Sequence, residues 1–446
     1  MKQVFSILLS GFLVLTASVE AAKPKPVAVK PLTKIMLDVV LQEQSGVSVL
    51  KFPFTCEIGV PEGFLKSTDN ARLLLPDGKT EIACVVSSAE KWKDKSIKTL
   101  LLDFQSDLAV RQKKILKLEC GKGVKRKTFK SRLWVKEDKT SIKVDTGALT
   151  FAVSKIKFDF LSDLYVDLNR DGKYEEGSQI LKKETGQEIL LDAKSDSANA
   201  DSAFFERYLA SRDKSYSAVV ESKNALSAVI KIEVKPRNKK DEYISSQILR
   251  LYVYNGKPYI KIVNTSVPAG EYLKYSASRL GLKLPTFHAG NKGYVFGTED
   301  GGKWGWLSKG ARAYIYTSTD NKTANYTLSL DKDSGTTVIT TGKEAPGWVT
   351  LNGKWFSISA GVKDFKDLNP KELSIEEKDN SLNIYIEKKQ NLKTGIEARS
   401  SEVPSSENEE SFSEINEIFL VFHSPKEGAS GILKALCRPP LINKGN

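Results

Sequence analysis

The stretch from Tyr243 to Thr265, YISSQILRLYVYNGKPYIKIVNT, decides the fold. Asn255-Gly256 separates two runs rich in Ile, Val, Leu and Tyr, and Asn-Gly tolerates the positive φ angles that a two-residue type I′ hairpin requires. Before the turn, one face of the chain carries Leu249, Leu251 and Val253. The other face carries Ile244, Ser246, Ile248, Arg250, Tyr252 and Tyr254. Because both faces hold apolar groups, the pattern predicts a strand inside layered sheets.

The rest of the chain predicts more strands of the same kind. Leu226 to Val234 alternates in the same way, and helical periodicity is best at Ser202 to Ser211. Near the N-terminus, short strand-like segments are separated by turn residues at roughly ten-residue spacing. These segments are Lys34 to Leu41, Val47 to Val60, Arg72 to Leu75, Ile82 to Val86, Ile97 to Phe104 and Ile115 to Glu119. We therefore predict an all-β protein, with a small β-barrel over residues 32–136 and a large antiparallel β-sandwich over 138–446.

The first 21 residues have the features of a secretory signal peptide. Lys2 precedes an apolar run from Val4 to Val14, and Val19-Glu20-Ala21 resembles a cleavage site. No later segment reaches the roughly 18 apolar residues that a membrane helix needs. We therefore expect a secreted or periplasmic protein without membrane insertion, in which the acidic segment Ser400 to Ser413 forms an exposed loop before a last strand, Ile415 to His423.

The chain carries 68 basic and 55 acidic residues, a formal charge of +13. Lysines spread over solvated strand faces would account for this excess, and so would attraction to a polyanion such as an acidic polysaccharide. Export and the absence of dense basic clusters argue against nucleic acid.

Four cysteines occur, at Cys56, Cys84, Cys120 and Cys437. An even number in an exported chain favours disulfides, and their spacing matches no zinc motif. We expect at least one bridge among the first three, and the remaining thiol could pair with Cys437 and tie the C-terminus back across the domain interface.

Several motifs resemble one polysaccharide lyase family. Phe52-Pro53-Phe54, Gly59-Val60-Pro61-Glu62-Gly63, Leu75-Pro76-Asp77-Gly78 and Trp92 to Lys98 follow one another in the first unit. Val144 to Gly147, Val219 to Leu226, Tyr254 to Tyr259 and Gly361 to Phe365 follow in the second. This order resembles the N-terminal barrel and central β-sandwich of the exo-unsaturated rhamnogalacturonan lyases, polysaccharide lyase family 26 and its bacterial relatives.

The resemblance implies an exported protein that handles an acidic, pectin-like polysaccharide. Members of that family carry a helical α/α toroid after the sandwich, which this sequence lacks, so the resemblance implies a non-catalytic binding or scaffold protein. The alternative is a shortened or split lyase that acts by β-elimination, with a separate catalytic subunit as a partner. A lyase needs a base and a group that neutralises the uronate carboxylate. His288, Tyr259 and Arg279 have suitable chemistry, but the sequence assigns no catalytic residue.

Asp167-Leu168-Asn169-Arg170-Asp171-Gly172 places oxygen ligands at positions 1, 3 and 5 and glycine at position 6. Calcium loops share this spacing, and Glu175 or Glu176 could complete the ligand set because the usual position is Ser178. A plain Asp-Gly turn would explain the same residues.

The tryptophans Trp304, Trp306, Trp348 and Trp355 are candidates for sugar stacking. In Lys303-Trp304-Gly305-Trp306, the period of two puts both indoles on one side of a strand. Packing in the sandwich core is the alternative.

Overall fold

The computed structural model describes residues 33–182, 186–195, 205–269, 275–287, 290, 292–318, 325–366, 371–389 and 414–444. The proposed signal peptide, His288 and the acidic segment 400–413 lie outside this part of the chain. Within it, no helix has the length and apolar character needed to cross a membrane.

The described residues form mainly β-strands, with one α-helix and short 3₁₀ turns. The strands are β1 Lys34–Gln42, β2 Val49–Gly59, β3 Ala71–Leu74, β4 Cys84–Lys91, β5 Ile97–Leu108, β6 Lys113–Gly121, β7 Trp134–Glu137, β8 Ser141–Asp145, β9 Leu149–Ser154, β10 Ser162–Val166, β11 Gln179–Leu181, β12 Glu188–Ser195, β13 Phe205–Leu209, β14 Ser217–Lys223, β15 Ser227–Val234, β16 Ser245–Tyr254, β17 Tyr259–Pro268, β18 Tyr275–Pro285, β19 Lys292–Thr298, β20 Gly301–Leu307, β21 Arg312–Ser318, β22 Asn325–Lys332, β23 Gly335–Gly342, β24 Trp348–Asn352, β25 Ser357–Val362, β26 Lys371–Glu376, β27 Ser381–Lys389, β28 Glu414–His423 and β29 Leu441–Lys444. Helix α1 is Ser430–Cys437, and the 3₁₀ turns are Thr68–Asn70, Glu176–Ser178 and Ala210–Arg212.

The strands form antiparallel sheets, which confirms the predicted all-β, sandwich-like fold class. A nine-stranded sheet has the order β14-β15-β16-β17-β28-β25-β24-β19-β20, and an eight-stranded sheet has the order β13-β12-β18-β27-β26-β21-β22-β23. A five-stranded sheet, β11-β10-β9-β8-β7, contributes to the same hydrophobic core as these two. The N-terminal strands form two small sheets, β29-β1-β6-β3 and β2-β5-β4, which together are called the N-terminal unit.

The nine-stranded sheet is the middle layer of the molecule. Strand β16 shows why, because Leu249, Leu251 and Val253 enter the sandwich core, whereas Tyr254 on the opposite face packs against the core of the N-terminal unit. The burial pattern along Ser245–Tyr254 alternates between buried and half-buried residues without an exposed face. The predicted strand with apolar groups on both faces is therefore confirmed.

The turn that follows β16 differs from the predicted type I′ hairpin. Four residues, 255–258, separate β16 from β17, and of the Asn-Gly pair Gly256 has a positive φ, +69°. Lys257 N donates to Tyr254 O at 3.1 Å. Asn255 instead makes hydrogen bonds with residues distant in sequence. Its Oδ1 accepts from Arg132 N at 2.9 Å, and its N–H donates to Leu226 O. These tertiary hydrogen bonds select a longer turn than the local sequence favours.

The predicted helix at Ser202 to Ser211 is contradicted by the structure. Within the predicted helix Ser202 to Ser211, residues 205–209 form strand β13, paired with β12, and residues 202–204 lie outside the described chain. Tyr208 of this strand is fully buried in a small cluster with Leu191 and Ile244, so tertiary packing overrides the local helical pattern.

The expected disulfides are absent: all four cysteines lie in the described chain, and each is present as a thiol. Cys56 and Cys84 are on strands that flank β5, about 10 Å apart at two strand spacings and beyond the reach of a disulfide. Cys120 lies in the other small sheet, and Cys437 packs against Gly361 of the sandwich. Burial raises the pKa of the Cys120 and Cys437 thiols to about 12.

The C-terminus is nevertheless tied back, by backbone pairing. Strand β29 pairs with β1, from Val39 opposite Lys444 to Gln42 opposite Leu441. Helix α1, which precedes it, buries Leu433 and Leu436 in the N-terminal core. The sequence did not reveal this return, and the domain bounds 32–136 and 138–446 stay predictions.

Candidate functional site

Strand β20 forms one edge of the nine-stranded sheet and displays two tryptophans. It follows β19 through a tight turn in which Thr298 pairs with Gly301, whose φ of +119° suits glycine. Trp304 and Trp306 are two residues apart and therefore share a face, and the two residues are 72% and 62% exposed. The structure thus brings together the two residues predicted to stack against sugar.

Glycines in the neighbouring strand decide how the indoles lie. Trp306 pairs with Gly293 of β19, and a Cβ built at Gly293 would lie 3.4 Å from Trp306 Cζ3. The ring therefore rests over the backbone of β19 and presents its other face to solvent. Trp348 is covered instead: its ring lies 2.5 Å from a Cβ built at Gly297, and it is 4% exposed. Trp348 belongs to the core and not to the platform.

Trp355 lies at the same end of the sheet. Gly293 pairs on its other side with Asn352, and the turn to β25 begins directly after Asn352, with Gly353 N donating to Phe356 O at 3.0 Å. Two strand spacings put β24 about 10 Å from β20. Trp355 in this turn is 55% exposed, and Lys354 Nζ lies 4.5 Å from its ring centroid. The sequence indicated Trp355 but not the cation beside it.

A buried polar chain lies next to this turn. Thr350 and Ser359 hydroxyls are 2.7 Å apart, and Ser359 Oγ lies 2.9 Å from His423 Nε2. With Nδ1 donating to the Ser424 carbonyl at 2.9 Å, Nε2 accepts from Ser359. Burial lowers the pKa of His423, so the ring is held neutral. Because all three side chains are buried, this chain fixes β24, β25 and β28 against one another.

The candidate calcium loop is held by its own backbone. Asp167 Oδ1 and Oδ2 accept from Asp171 N at 3.1 Å and Gly172 N at 2.9 Å, and Asp171 Oδ1 accepts from Lys173 N. Asn169 Nδ2 lies 3.4 Å from Glu175 Oε1. Among the described side chains, no group of three His, Cys, Asp or Glu residues is arranged to hold a metal ion. These contacts are those of an Asp-Gly turn, the side chain of Glu176 lies outside the described part, and calcium stays a prediction.

The residues with lyase-like chemistry are not assembled into one site. Tyr259 is 2% exposed, and burial raises its pKa well above the usual range. Arg279 lies on the other large sheet, where it contacts Glu372 at 3.2 Å and stacks on the Tyr385 ring at 3.8 Å. His288 lies outside the described residues.

Residues 133–310 match the model of a protein family described as "PcRGLX-like protein central beta sandwich domain". The match supports a rhamnogalacturonan lyase-like family and suggests a carbohydrate-related function. The matched range includes Trp304 and Trp306. No curated protein matches the chain.

Two solved structures from Enterococcus faecalis resemble the fold. One is a protein in glycosyl hydrolase family 38, at 10% identity and a TM-score of 0.50, with 92% of this chain and 47% of that chain covered. The other is an alpha-mannosidase from strain V583, at 10% identity and a TM-score of 0.49, with 92% and 46% covered. The chain therefore spans about half the length of these proteins, and identity this low bears on the fold alone.

Proposed function

We propose that the protein is an exported carbohydrate-binding protein that holds an acidic, rhamnogalacturonan-like polysaccharide without cleaving it. The observation that carries the proposal is the pair of exposed indoles, Trp304 and Trp306, on one face of an edge strand within the family-matched sandwich. Export rests on the predicted signal peptide at residues 1–21.

The chemistry of the platform suits such a ligand. The flat indole faces pack against the apolar faces of pyranose rings, and an edge strand leaves room for a polymer to extend past the sheet. Lys354 beside Trp355 supplies a cation for a uronate carboxylate. The overall charge of +13 adds a long-range attraction to an acidic chain.

Binding should be measured on rhamnogalacturonan, polygalacturonate and a neutral galactan by affinity electrophoresis and calorimetry, at about 0.1 M and 1 M salt. The Debye length falls from about 10 Å to about 3 Å over this range, so binding to the two acidic polymers should weaken. Equal retention on neutral and acidic polymers would remove the electrostatic part of the proposal.

The platform is tested by replacing both Trp304 and Trp306 with alanine. Loss of two stacking surfaces should cost about 1–3 kcal/mol, roughly 5- to 150-fold in Kd. Trp134→Ala is the matched control, because Trp134 is also an exposed strand tryptophan, 51% exposed on β7. If the control weakens binding as much as the double variant, or the folded double variant binds normally, the platform lies elsewhere.

The same preparations separate binding from cleavage. A shortened lyase would release unsaturated uronate from rhamnogalacturonan oligosaccharides, with the absorbance of the new double bond. A split lyase would do so only after a separate catalytic subunit is added. The test is needed because the family match is to a lyase-like family. Release of unsaturated uronate by the purified chain would show cleavage and overturn the non-catalytic part of the proposal.

A further inference from the structure

A cleft of about 750 Å³ lies between the N-terminal unit and the outer face of the nine-stranded sheet. The small sheet β2-β5-β4 forms one wall, strands β14 to β17 and β28 form the other, and residues 436–442 after α1 close one side. Strand β28 is four strand spacings, about 19 Å, from the tryptophans of β20. The cleft is therefore separate from the proposed platform, and a ligand in it would not contact Trp304 or Trp306.

The walls combine aromatic and hydrogen-bonding groups. Tyr252, Lys261 and Phe419 form a cross-strand row on the sheet, with Lys261 Nζ 5.7 Å from the Tyr252 ring centroid. Pro53 faces them from β2. An aromatic surface beside directional polar groups is the usual composition of a saccharide site, because a sugar ring has apolar faces and a polar rim.

The carboxylates in the cleft are held in place and keep acceptor capacity. Asp103 accepts from Thr55 Oγ1 at 2.6 Å and from Asn224 Nδ2 at 2.7 Å, and so links the two walls. Glu417 pairs with Lys261 at 2.7 Å, and Lys363 donates to it at 3.1 Å. A carboxylate has about four lone-pair sites, so each retains positions for ligand hydroxyl groups.

A third carboxylate, Glu221, is also oriented. Arg250 Nε and Nη2 contact its two oxygens at 2.8 and 3.0 Å. The lining of the cleft carries a net charge of −1, from Asp103, Glu221, Glu417, Lys223 and Lys261. Adding the paired cations Arg250 and Lys363 gives +1. The cleft is thus near neutral in a chain of charge +13. A uronate carboxylate in the place of a ligand hydroxyl group would lie directly against Asp103, Glu221 or Glu417, which disfavours it.

We propose that this cleft binds a short neutral saccharide through ring stacking on Tyr252 and hydroxyl hydrogen bonds to Asp103, Glu221 and Glu417. Its volume lies within the range of about 300–1,000 Å³ that is typical of small-molecule sites and accommodates a mono- or disaccharide. Recognition there depends on hydroxyl groups, in contrast to the charge-assisted binding proposed for the polymer.

The test uses calorimetry on the full chain with galactobiose, lactose and cellobiose as neutral probes and digalacturonate as the charged counterpart. At least one neutral disaccharide should bind, with a Kd that changes less than twofold between 0.1 and 1 M salt. Digalacturonate is measured on the variant in which Trp304 and Trp306 are both replaced with alanine, so that the platform does not contribute, and it should bind at least tenfold more weakly than the neutral disaccharide. Binding of none of the neutral probes, or tighter binding of digalacturonate by that variant, overturns the proposal.

Blocking variants locate the binding. Ser222 on β14 and Ser87 on β4 are exposed small residues on opposite walls, so Ser222→Trp or Ser87→Trp should fill the cleft and weaken binding at least tenfold. Thr337→Trp on the exposed strand β23 is the control, and it should bind as the parent does. Tyr252→Ala tests the same cleft by deletion if a tryptophan prevents folding. Parent-like binding by the folded cleft variants would place the saccharide elsewhere and refute the assignment.

Discussion

Replacing Gly293 with valine should displace Trp306 and weaken polysaccharide binding without removing an aromatic ring. A Cβ at residue 293 would lie 3.4 Å from Cζ3 and 3.6 Å from Cε3 of Trp306, close to ordinary contact. The γ-methyls of valine extend about 1.5 Å further and would come within about 2 Å of the ring, well inside the optimum of about 3.5–4.0 Å. A β-branched side chain has few rotamers with which to avoid this clash.

The expected loss is that of one stacking surface. It corresponds to about 1–2 kcal/mol, or roughly 5- to 30-fold in the Kd for rhamnogalacturonan measured by calorimetry. Gly293→Ala should bind nearly as the parent does, because its single methyl would meet the indole at about van der Waals contact, 3.4 and 3.6 Å from the nearest ring atoms.

Gly59→Val is the matched control for this series. Gly59 ends strand β2, and a Cβ there has nothing within 4 Å, so neither folding nor binding should change. Thermal unfolding confirms that each variant is folded. If folded Gly293→Val binds normally while Trp306→Ala binds weakly, binding does not require Trp306 to lie over the backbone of β19 at Gly293.

Three further predictions concern the buried side chain of His423, the four cysteines and the loop at Asp167. Because burial lowers the pKa of His423 below its usual value of about 6.5, the unfolded chain takes up the proton first; thermal stability should fall as the pH drops below about 6.5, and His423→Gln should reduce this sensitivity. Mass spectrometry of an unreduced digest should find four thiols, and a thiol reagent should label Cys84 and Cys120 slowly before unfolding; a bridged peptide would contradict the structure. If the loop at Asp167 binds calcium, the ion should raise the melting temperature of the parent and not that of Asp167→Asn; equal melting temperatures with calcium and with chelator would leave a plain turn.

Much of the fold was readable from local patterns. Alternation along residues 245–254 predicted a strand buried on both faces, and the six N-terminal strands occur within a few residues of their predicted bounds. These predictions succeed because side-chain direction alternates strictly along a strand, whatever its partner.

The failures occur where distant residues decide the local structure. Asn255-Gly256 has the composition of a two-residue turn, but hydrogen bonds to Arg132 and Leu226 extend it to four residues. Residues 205–209 join a sheet because Tyr208 is buried against Leu191 and Ile244. Local sequence contains no information on these contacts.

The candidate sites divide in the same way. The spacing of Trp304 and Trp306 was enough to place both on one face of a strand, but whether a tryptophan is exposed depends on glycines in a neighbouring strand. Because Gly293 has no side chain, Trp306 can lie over the backbone of β19. Because Gly297 has none, there is room for the buried ring of Trp348.

By itself, the sequence determined the strand content, the alternation of faces and the shared side of the two tryptophans, because these follow from backbone geometry within one segment. Only the tertiary structure decided that β20 is an edge strand, that Asp103 meets Asn224 and that β29 returns to β1. The physical reason is that backbone hydrogen bonds join any two strands in register. The side-chain pattern specifies which face is buried, and the packing of the whole chain selects the partner.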